Sequence, residues 1–210
     1  MLSMFDSAVL LYCPAGRCGS SMLMGILERS GYDVGKVYEE KSEMNAKGHY
    51  EIMEYEQFVQ NIFPSLSGGL PSPIPQKEVC DTIKKNNDKF NELIKQWFTG
   101  KHIAIKCFRG YAMEFFREIP NKKIRLHRNA ESQIKSIRVY NHASGDFQSY
   151  LKRWNDRLDE YNQDCDIYFE EWFTEPMKQY ERLCEAIEPP KVMSEAELLE
   201  WIDPKLNRYG

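Results

Sequence analysis

The sequence predicts an α/β fold, a three-layer sandwich in which helices cover both faces of a central parallel sheet. Short apolar runs alternate with segments of helical periodicity along the 210 residues, as in parallel strands joined by helical crossovers. The first apolar run ends at a glycine-containing turn and is followed directly by a helical pattern. The apolar content of 42% is enough to build one core, so we expect a single domain over residues 1–210.

The predicted elements follow one another closely. The candidate strands are Ala8–Cys13, Ile103–Cys107, Lys123–His127 and Asp166–Phe169. The helical patterns are Met22–Arg29, Glu54–Phe63, Lys77–Phe98, Ser132–Tyr140, Phe147–Tyr161 and Pro176–Ile187, with a further segment at Ala112–Arg117. Ser65–Gln76 contains three prolines and two glycines, which indicates a surface loop that closes over a ligand or only connects elements. A parallel sheet binds its ligand at the carboxyl ends of its strands.

An anion-binding loop is predicted directly after the first strand. Residues 13–21 read Cys-Pro-Ala-Gly-Arg-Cys-Gly-Ser-Ser. A turn between a strand and a helix directs backbone N–H groups and the positive end of the helix dipole at one place. Arg17 adds a permanent charge there, while Ser20 and Ser21 add hydroxyl donors. The alternative is a glycine-rich turn without a ligand.

Two common phosphate loops are excluded at this position. The ATP- and GTP-binding loop requires a Gly-Lys-Ser/Thr sequence, which is absent from this turn. A cysteine phosphatase loop would have an arginine six positions after the thiol. In this sequence the residue six positions after Cys13 is Gly19, and the residue six positions after Cys18 is Met24.

A second pair of polar residues follows the third candidate strand. Arg128 comes directly after this strand, and Asn129 can cap the next helix through its side-chain oxygen. Ser136 lies eight residues after Arg128, two turns into the helix. Arginine and serine are common residues, so an exposed basic helix start is the alternative.

Together these segments resemble the sulfotransferases that use 3'-phosphoadenosine-5'-phosphosulfate (PAPS). The loop is similar to the family's 5'-phosphosulfate loop. Arg128 and Ser136 are similar to the pair of residues that holds the 3'-phosphate in the family. Residues 45–51, Asn-Ala-Lys-Gly-His-Tyr-Glu, resemble the Asn-Pro-Lys-Gly-x-Phe-Glu segment of bacterial members. Further similarity lies in Ile103–Lys106 and in residues 167–172. The resemblance implies a P-loop NTPase-like sulfotransferase fold, PAPS as donor and 3'-phosphoadenosine-5'-phosphate (PAP) as product, without a metal.

The resemblance also implies roles for individual residues. The expected PAPS-binding residues are Arg17, Cys18, Gly19, Ser20, Ser21, Arg128, Ser136 and Phe169. Arg17 and Lys106 are expected to stabilise the leaving phosphate, and either Glu51 or His49 to act as the base. Phe169 occupies the position of a tyrosine near the adenine, where its ring could still stack. The family's late Arg-Lys-Gly segment is missing, and Lys135 or Arg138 could replace it.

Composition narrows the remaining possibilities. A net charge of −4 argues against a general nucleic-acid binder, and the absence of a long apolar stretch predicts a cytoplasmic protein without a membrane span. The six cysteines have no Cys-x-x-Cys spacing, so we expect reduced thiols, with Cys18 either an oxidant-sensitive thiol or a simple serine replacement. The histidines show no metal-ligand spacing.

The expected activity is sulfuryl transfer to a hydroxyl or amine of a small-molecule or carbohydrate acceptor. Two alternatives stay open at this point: a nucleotide-dependent phosphoryl transferase, which would require magnesium and a carboxylate to hold it, and a non-catalytic nucleotide-binding or scaffold protein.

Overall fold

A parallel sheet forms the centre of the molecule. The computed structural model describes residues 4–13, 16–37, 49–63, 74–107, 110–141 and 146–202. Within these ranges a sheet of four parallel strands has the order β2-β1-β3-β4. The strands are β1 (Ser7–Tyr12), β2 (His102–Lys106), β3 (Asn121–His127) and β4 (Cys165–Tyr168). The prediction of an α/β fold with a parallel sheet is confirmed.

Helices connect and cover the strands. They are α1 (Ser20–Arg29), α2 (Met53–Ile62), α3 (Gln76–Trp97), α4 (Ala130–Asn141), α5 (Phe147–Leu158), α6 (Pro176–Ile187) and α7 (Glu195–Trp201). Two 3₁₀ helices span Gly110–Phe116 and Glu170–Phe173. Among the described helices, none combines the length and apolar character needed to cross a membrane. Most of the predicted loop Ser65–Gln76 lies outside the described residues, and Gln76 begins α3.

The two faces of the sheet build two separate cores, because successive residues of a strand point to opposite faces. Ala8, Leu10 and Tyr12 of β1 belong to an aromatic-rich core with α2, α3, α5 and the first 3₁₀ helix. Val9 and Leu11 belong to the other core, which α1, α6 and α7 complete. Helices therefore cover both faces, and the predicted three-layer arrangement is confirmed.

The strand order creates a switch point at the carboxyl end of β1. From β1 the chain passes to β2 on one side and then crosses to β3 on the other side. A ligand crevice opens at such a point, because the connections leave the sheet in opposite directions. The loop after β1 and the residue Arg128 after β3 lie on its two sides.

Helix α7 fixes the position of α1, although the sequence prediction omitted it. Ser194 and Glu197 form a reciprocal capping box at its start. At its other end Trp201 Nε1 donates to the carbonyl oxygen of Met22 over 2.9 Å. A Cβ atom added at Gly25 would overlap the Trp201 ring. Glycine therefore permits the contact that holds the helix following the loop after β1.

Candidate anion-binding and active site

The loop after β1 has an unusual backbone. Gly16, Arg17 and Gly19 all have positive φ angles, of 72°, 56° and 84°. Left-handed residues in a tight loop turn neighbouring N–H groups towards a common point, the arrangement of an anion-binding nest. Arg17 adopts this conformation at a steric cost that glycine avoids. Contacts elsewhere in the protein must therefore hold Arg17 in place.

Helix α1 directs its positive end at the same loop. Gly19 is its N-cap residue, and the amides of Met22 and Leu23 donate to the Gly19 carbonyl over 3.0 and 3.2 Å. No side-chain cap is found for α1 in the described part of the chain, and its first turn carries no acidic residue. The helix dipole at this end favours an anion.

Three hydrogen bonds join the loop to α4 and to Arg128, which directly follows β3. Arg17 Nε donates to Ser136 Oγ over 3.1 Å, across 119 positions of sequence. Arg128 Nη1 donates to the Arg17 carbonyl oxygen over 2.7 Å. Gln133 Nε2 donates to the Gly16 carbonyl oxygen over 2.6 Å. The fold thus brings together the loop and the Arg128–Ser136 pair, the two segments that the sequence analysis singled out.

Asn129 fixes the start of α4 directly after the end of β3. Its Oδ1 atom accepts from the Ser132 amide over 3.1 Å, which confirms the predicted cap. The backbone N–H group of Asn129 donates to Glu170 Oε1 over 3.0 Å. The backbone on either side of the strand end is therefore fixed, and Arg128 is positioned at the crevice.

Lys106 supplies a buried cation at the carboxyl end of β2. Its side chain is 3% exposed, and Nζ donates to Ser21 Oγ over 2.9 Å and to the His49 carbonyl oxygen. Glu51 Oε1 lies 3.9 Å from Nζ. Burial lowers the pKa of Lys106 to about 8, although the nearby Glu51 carboxylate favours its charged form. Near neutral pH this lysine is a cation that can also give up its proton.

The Glu51 carboxylate and the backbone of His49 lie beside Lys106. Glu51 presents a carboxylate that is 30% exposed and close to the ammonium group. His49 contributes its carbonyl oxygen, which also accepts from Ser21 Oγ over 3.1 Å. The residues that precede His49 in the resembling segment, 45–48, lie outside the described residues. The choice of base stays a prediction.

Phe169 packs inside the site. Its ring is 3% exposed, and the Arg128 guanidinium carbon lies 4.5 Å from the ring centroid. On another side the ring approaches Gly19 so closely that a Cβ atom there would overlap it. Phe169 therefore links the loop to Arg128. The adenine ring of a nucleotide could stack on Phe169 only after these neighbours move.

Cys13 and Cys18 form a disulfide. The expectation of reduced thiols is therefore wrong for this pair, and Cys18 is neither a free thiol nor a plain serine replacement. The described free cysteines are Cys80, Cys107, Cys165 and Cys184. Burial raises the pKa of Cys107 to about 12, so it acts as a small core residue, as predicted.

The sequence analysis missed Gln133 and the partner of Cys18. Gln133 stands three positions before Ser136 and thus on the same helix face, a spacing that could have revealed it. Ser20 is buried at the start of α1. Lys135 and Arg138 are exposed on α4, and Arg138 lies 5.9 Å from the Phe147 ring. In the described ranges, no group of three or more His, Cys, Asp or Glu residues could hold a metal ion.

Comparison with known proteins adds little to this geometry. No protein-family model and no curated protein matches the chain. An unliganded sugar kinase from Janibacter sp. HTCC2649 superposes with a TM-score of 0.48 and 15% identity, over 90% of this chain and 99% of that one. TT1252 from Thermus thermophilus gives 0.41 and 10%, over 88% and 97%. Both scores are too low for either likeness to carry an argument about fold or activity.

Proposed function

We propose that the protein is a sulfotransferase that uses PAPS and transfers its sulfuryl group to a hydroxyl or amine acceptor. One observation carries the proposal. The loop after β1 and the Arg128–Ser136 pair, far apart in sequence, meet at the crevice through the bonds of Arg17 to Ser136 and of Arg128 to Arg17. PAPS has phosphate groups at two separate positions, so it needs two such adjacent sites.

The residues present fit the phosphate groups of this ligand. Arg17, Lys106 and Arg128 bring three cationic side chains to the carboxyl ends of β1, β2 and β3. The uncapped start of α1 and the left-handed loop add backbone donors on the 5' side. Arg128 and Ser136 would hold the 3'-phosphate. The fit to the adenine requires Phe169 or its neighbours to rearrange, because the ring is covered.

Arg17 and Lys106 are the residues that would stabilise the departing phosphate in this reaction. PAPS supplies a sulfuryl group attached to a phosphate leaving group. Arg17 and Lys106 would direct positive charge at the oxygen that becomes negative as the bond to that phosphate breaks. Arg17 would act through charge and hydrogen bonds, because its guanidinium does not readily lose a proton. Lys106, with a pKa of about 8, could also donate a proton there.

The acceptor's proton requires a base on the same side. Glu51 is our first choice, because its carboxylate lies 3.9 Å from Lys106 Nζ and is partly exposed to an incoming group. His49 is the alternative, as in the sequence analysis. The two are separated by comparing Glu51→Gln with His49→Asn, since only loss of the base should reduce turnover without weakening PAP binding.

Calorimetric titration with PAP in the presence of a chelator, compared with magnesium-ATP, tests the proposal. We expect micromolar PAP binding without metal and weaker binding of ATP. Arg17→Ala and Arg128→Ala each remove a charged hydrogen-bond donor, so each should weaken PAP binding by about 10- to 100-fold. Arg153→Ala is the matched control, because Arg153 is exposed on α5 and its loss changes net charge equally.

Two results would contradict the proposal. If PAP does not bind, or if both arginine variants bind it like the Arg153 control, the site is not a PAPS site. If magnesium-ATP binds more tightly than PAP, a phosphoryl transferase becomes the better assignment. Folding of each variant is checked by its unfolding transition before its affinity is interpreted.

A further inference from the structure

A serine and a lysine meet at the start of α1. Lys106 Nζ lies 2.9 Å from Ser21 Oγ and donates a hydrogen bond to it, across 85 positions of sequence. The His49 carbonyl oxygen accepts from Ser21 Oγ over 3.1 Å and also from Lys106 Nζ. One backbone oxygen therefore holds the hydroxyl and the amine side by side.

The two side chains differ in their exposure. Ser21 is half-buried, so its hydroxyl can meet a ligand, whereas the side chain of Lys106 is 3% exposed. Burial disfavours the ammonium form and lowers the pKa of Lys106 to about 8. In mildly alkaline solution much of this lysine is therefore the neutral amine. A neutral amine has a lone pair that can take a proton from a hydroxyl within hydrogen-bond distance.

The first turn of α1 favours negative charge on Ser21. Ser21 is the second residue of the helix, and the first turn contains no acidic residue. The positive end of the helix dipole stabilises an oxygen that becomes negative there. A serine hydroxyl beside a lysine base is one of the recurring forms of an activated nucleophile. The contact between Ser21 and Lys106 has this form.

We propose that Ser21 is a nucleophile with Lys106 as its general base, and that the pair provides a second activity, the hydrolysis of activated esters through an acyl-Ser21 intermediate. The proposal goes beyond the proposed function, because Ser21 attacks a substrate here instead of binding PAPS. The reaction needs no nucleotide. PAP, if it binds, would compete with the ester for the same site.

The reaction has two halves, in which Lys106 carries the proton. The neutral Lys106 amine takes the hydroxyl proton as Ser21 Oγ attacks the ester carbonyl carbon. The bond from that carbon to the alkoxy oxygen then breaks, and Lys106 gives the proton to the departing alcohol. Water next attacks the carbonyl carbon of acyl-Ser21 and gives a proton to Lys106, which returns it to Ser21 Oγ as the acyl bond breaks. Ester and water thus become carboxylic acid and alcohol.

The charged groups around Lys106 set the pH at which the pair works. The Glu51 carboxylate, 3.9 Å from Nζ, and Glu56 raise the pKa of Lys106, while Arg17 lowers it. The rate should increase with pH and level off above about 8, because only the neutral amine accepts a proton. Glu51→Gln removes a charge that favours the ammonium form, so its profile should shift to lower pH. A merely structural role of Lys106 would not produce this shift.

The experiment follows hydrolysis of p-nitrophenyl acetate by the nucleotide-free protein from about pH 6 to about pH 10. Samples are quenched with acid during the first turnover, and peptide mass spectrometry locates the acetyl group. We expect acetyl-Ser21 in the wild-type protein. Ser21→Ala and Lys106→Met should each reduce the rate above that of buffer by at least about 100-fold, because each removes one partner of the proton transfer.

Two matched controls remove the same side chains elsewhere. Ser149 is exposed on α5, and Lys101 lies just before β2 with 74% of its side chain exposed. Ser149→Ala and Lys101→Met should keep the wild-type rate and pH profile. The unfolding transition of each variant is measured first. If Lys106→Met fails to fold, the shifted profile of Glu51→Gln still tests the role of the lysine.

The outcomes separate this inference from the proposed function. Acetyl-Ser21 without PAP binding in calorimetry would support the nucleophile and contradict the PAPS assignment. PAP binding without acetyl-Ser21 would support the PAPS assignment and overturn the nucleophile. A rate that Ser21→Ala leaves unchanged, a pH profile that Glu51→Gln does not move, or hydrolysis no faster than in buffer would also overturn it.

Discussion

Replacing Lys106, a proposed catalytic cation, with methionine should abolish a pH-dependent cost to the stability of the fold. Lys106 is 3% exposed, and burial lowers its pKa from 10.5 to about 8. Below the lower value the lysine is charged in both the folded and the unfolded chain, so folding bears the whole cost of burying the charge. Between the two values the unfolded chain binds more protons, so wild-type stability gains with rising pH. Methionine has no such dependence.

The size of the effect follows from the two pKa values. A difference of one pKa value corresponds to about 1.4 kcal/mol, so the burial cost at neutral pH is about 3 kcal/mol and falls to about 1 kcal/mol near pH 10. Methionine also removes the bonds of Nζ to Ser21 and His49. The loss of these bonds lowers the stability of the variant by the same amount at every pH. The change with pH in the difference in unfolding free energy between variant and wild type therefore reports the burial of the charge alone.

Urea unfolding of Lys106→Met and of wild type at several pH values measures this pH dependence. We expect the stability of the variant relative to wild type to fall by about 2.5 kcal/mol between about pH 7 and about pH 10. Lys101→Met is the control, because Lys101 lies just before the same strand with 74% of its side chain exposed. A difference for Lys106→Met that stays constant over this range would refute the argument from burial.

Three further predictions concern contacts that hold the site. Gly25→Ala should lose about 1–3 kcal/mol of stability because the added methyl group overlaps Trp201; a gain, as for alanine in an exposed helix, would contradict the contact. Gln133→Leu leaves the Gly16 carbonyl without this donor and should cost about 1–3 kcal/mol in urea unfolding, whereas an unchanged midpoint would show that the bond is unimportant. Reduction of the loop disulfide, whose cysteines are 5 positions apart, should lower stability by about 2 kcal/mol, and equal thermal midpoints with and without reductant would rule this out.

Local signals predicted the elements that place the site. The apolar runs match the observed strands because a parallel sheet buries both faces and therefore needs nearly continuous apolar sequence. Asn129 was expected to cap α4, and it does so through Oδ1. Helix α7 was missed, although Ser194 and Glu197 have the spacing of a capping box. Its seven residues offered little periodicity from which to predict a helix.

Sequence patterns could not predict the side-chain contacts inside the site. That Arg17 contacts Ser136 depends on its left-handed backbone, which the pattern of an arginine in a loop does not specify. The disulfide of Cys13 depends on how tightly the loop turns, and spacing alone does not give that. Phe169 was expected to offer a stacking surface, whereas packing against Arg128 covers the ring. Side-chain contacts across elements set these features.

The ratio of the affinities for PAP and for adenosine 5'-monophosphate tests the central claim most directly. The two ligands differ only by the 3'-phosphate, which we assign to Arg128 and Ser136. Measured in chelator on the same protein, PAP should bind at least about 100-fold more tightly, because charged hydrogen bonds contribute about 1.5–3 kcal/mol each. Equal affinities would show that the crevice has no 3'-phosphate site and would contradict the PAPS assignment.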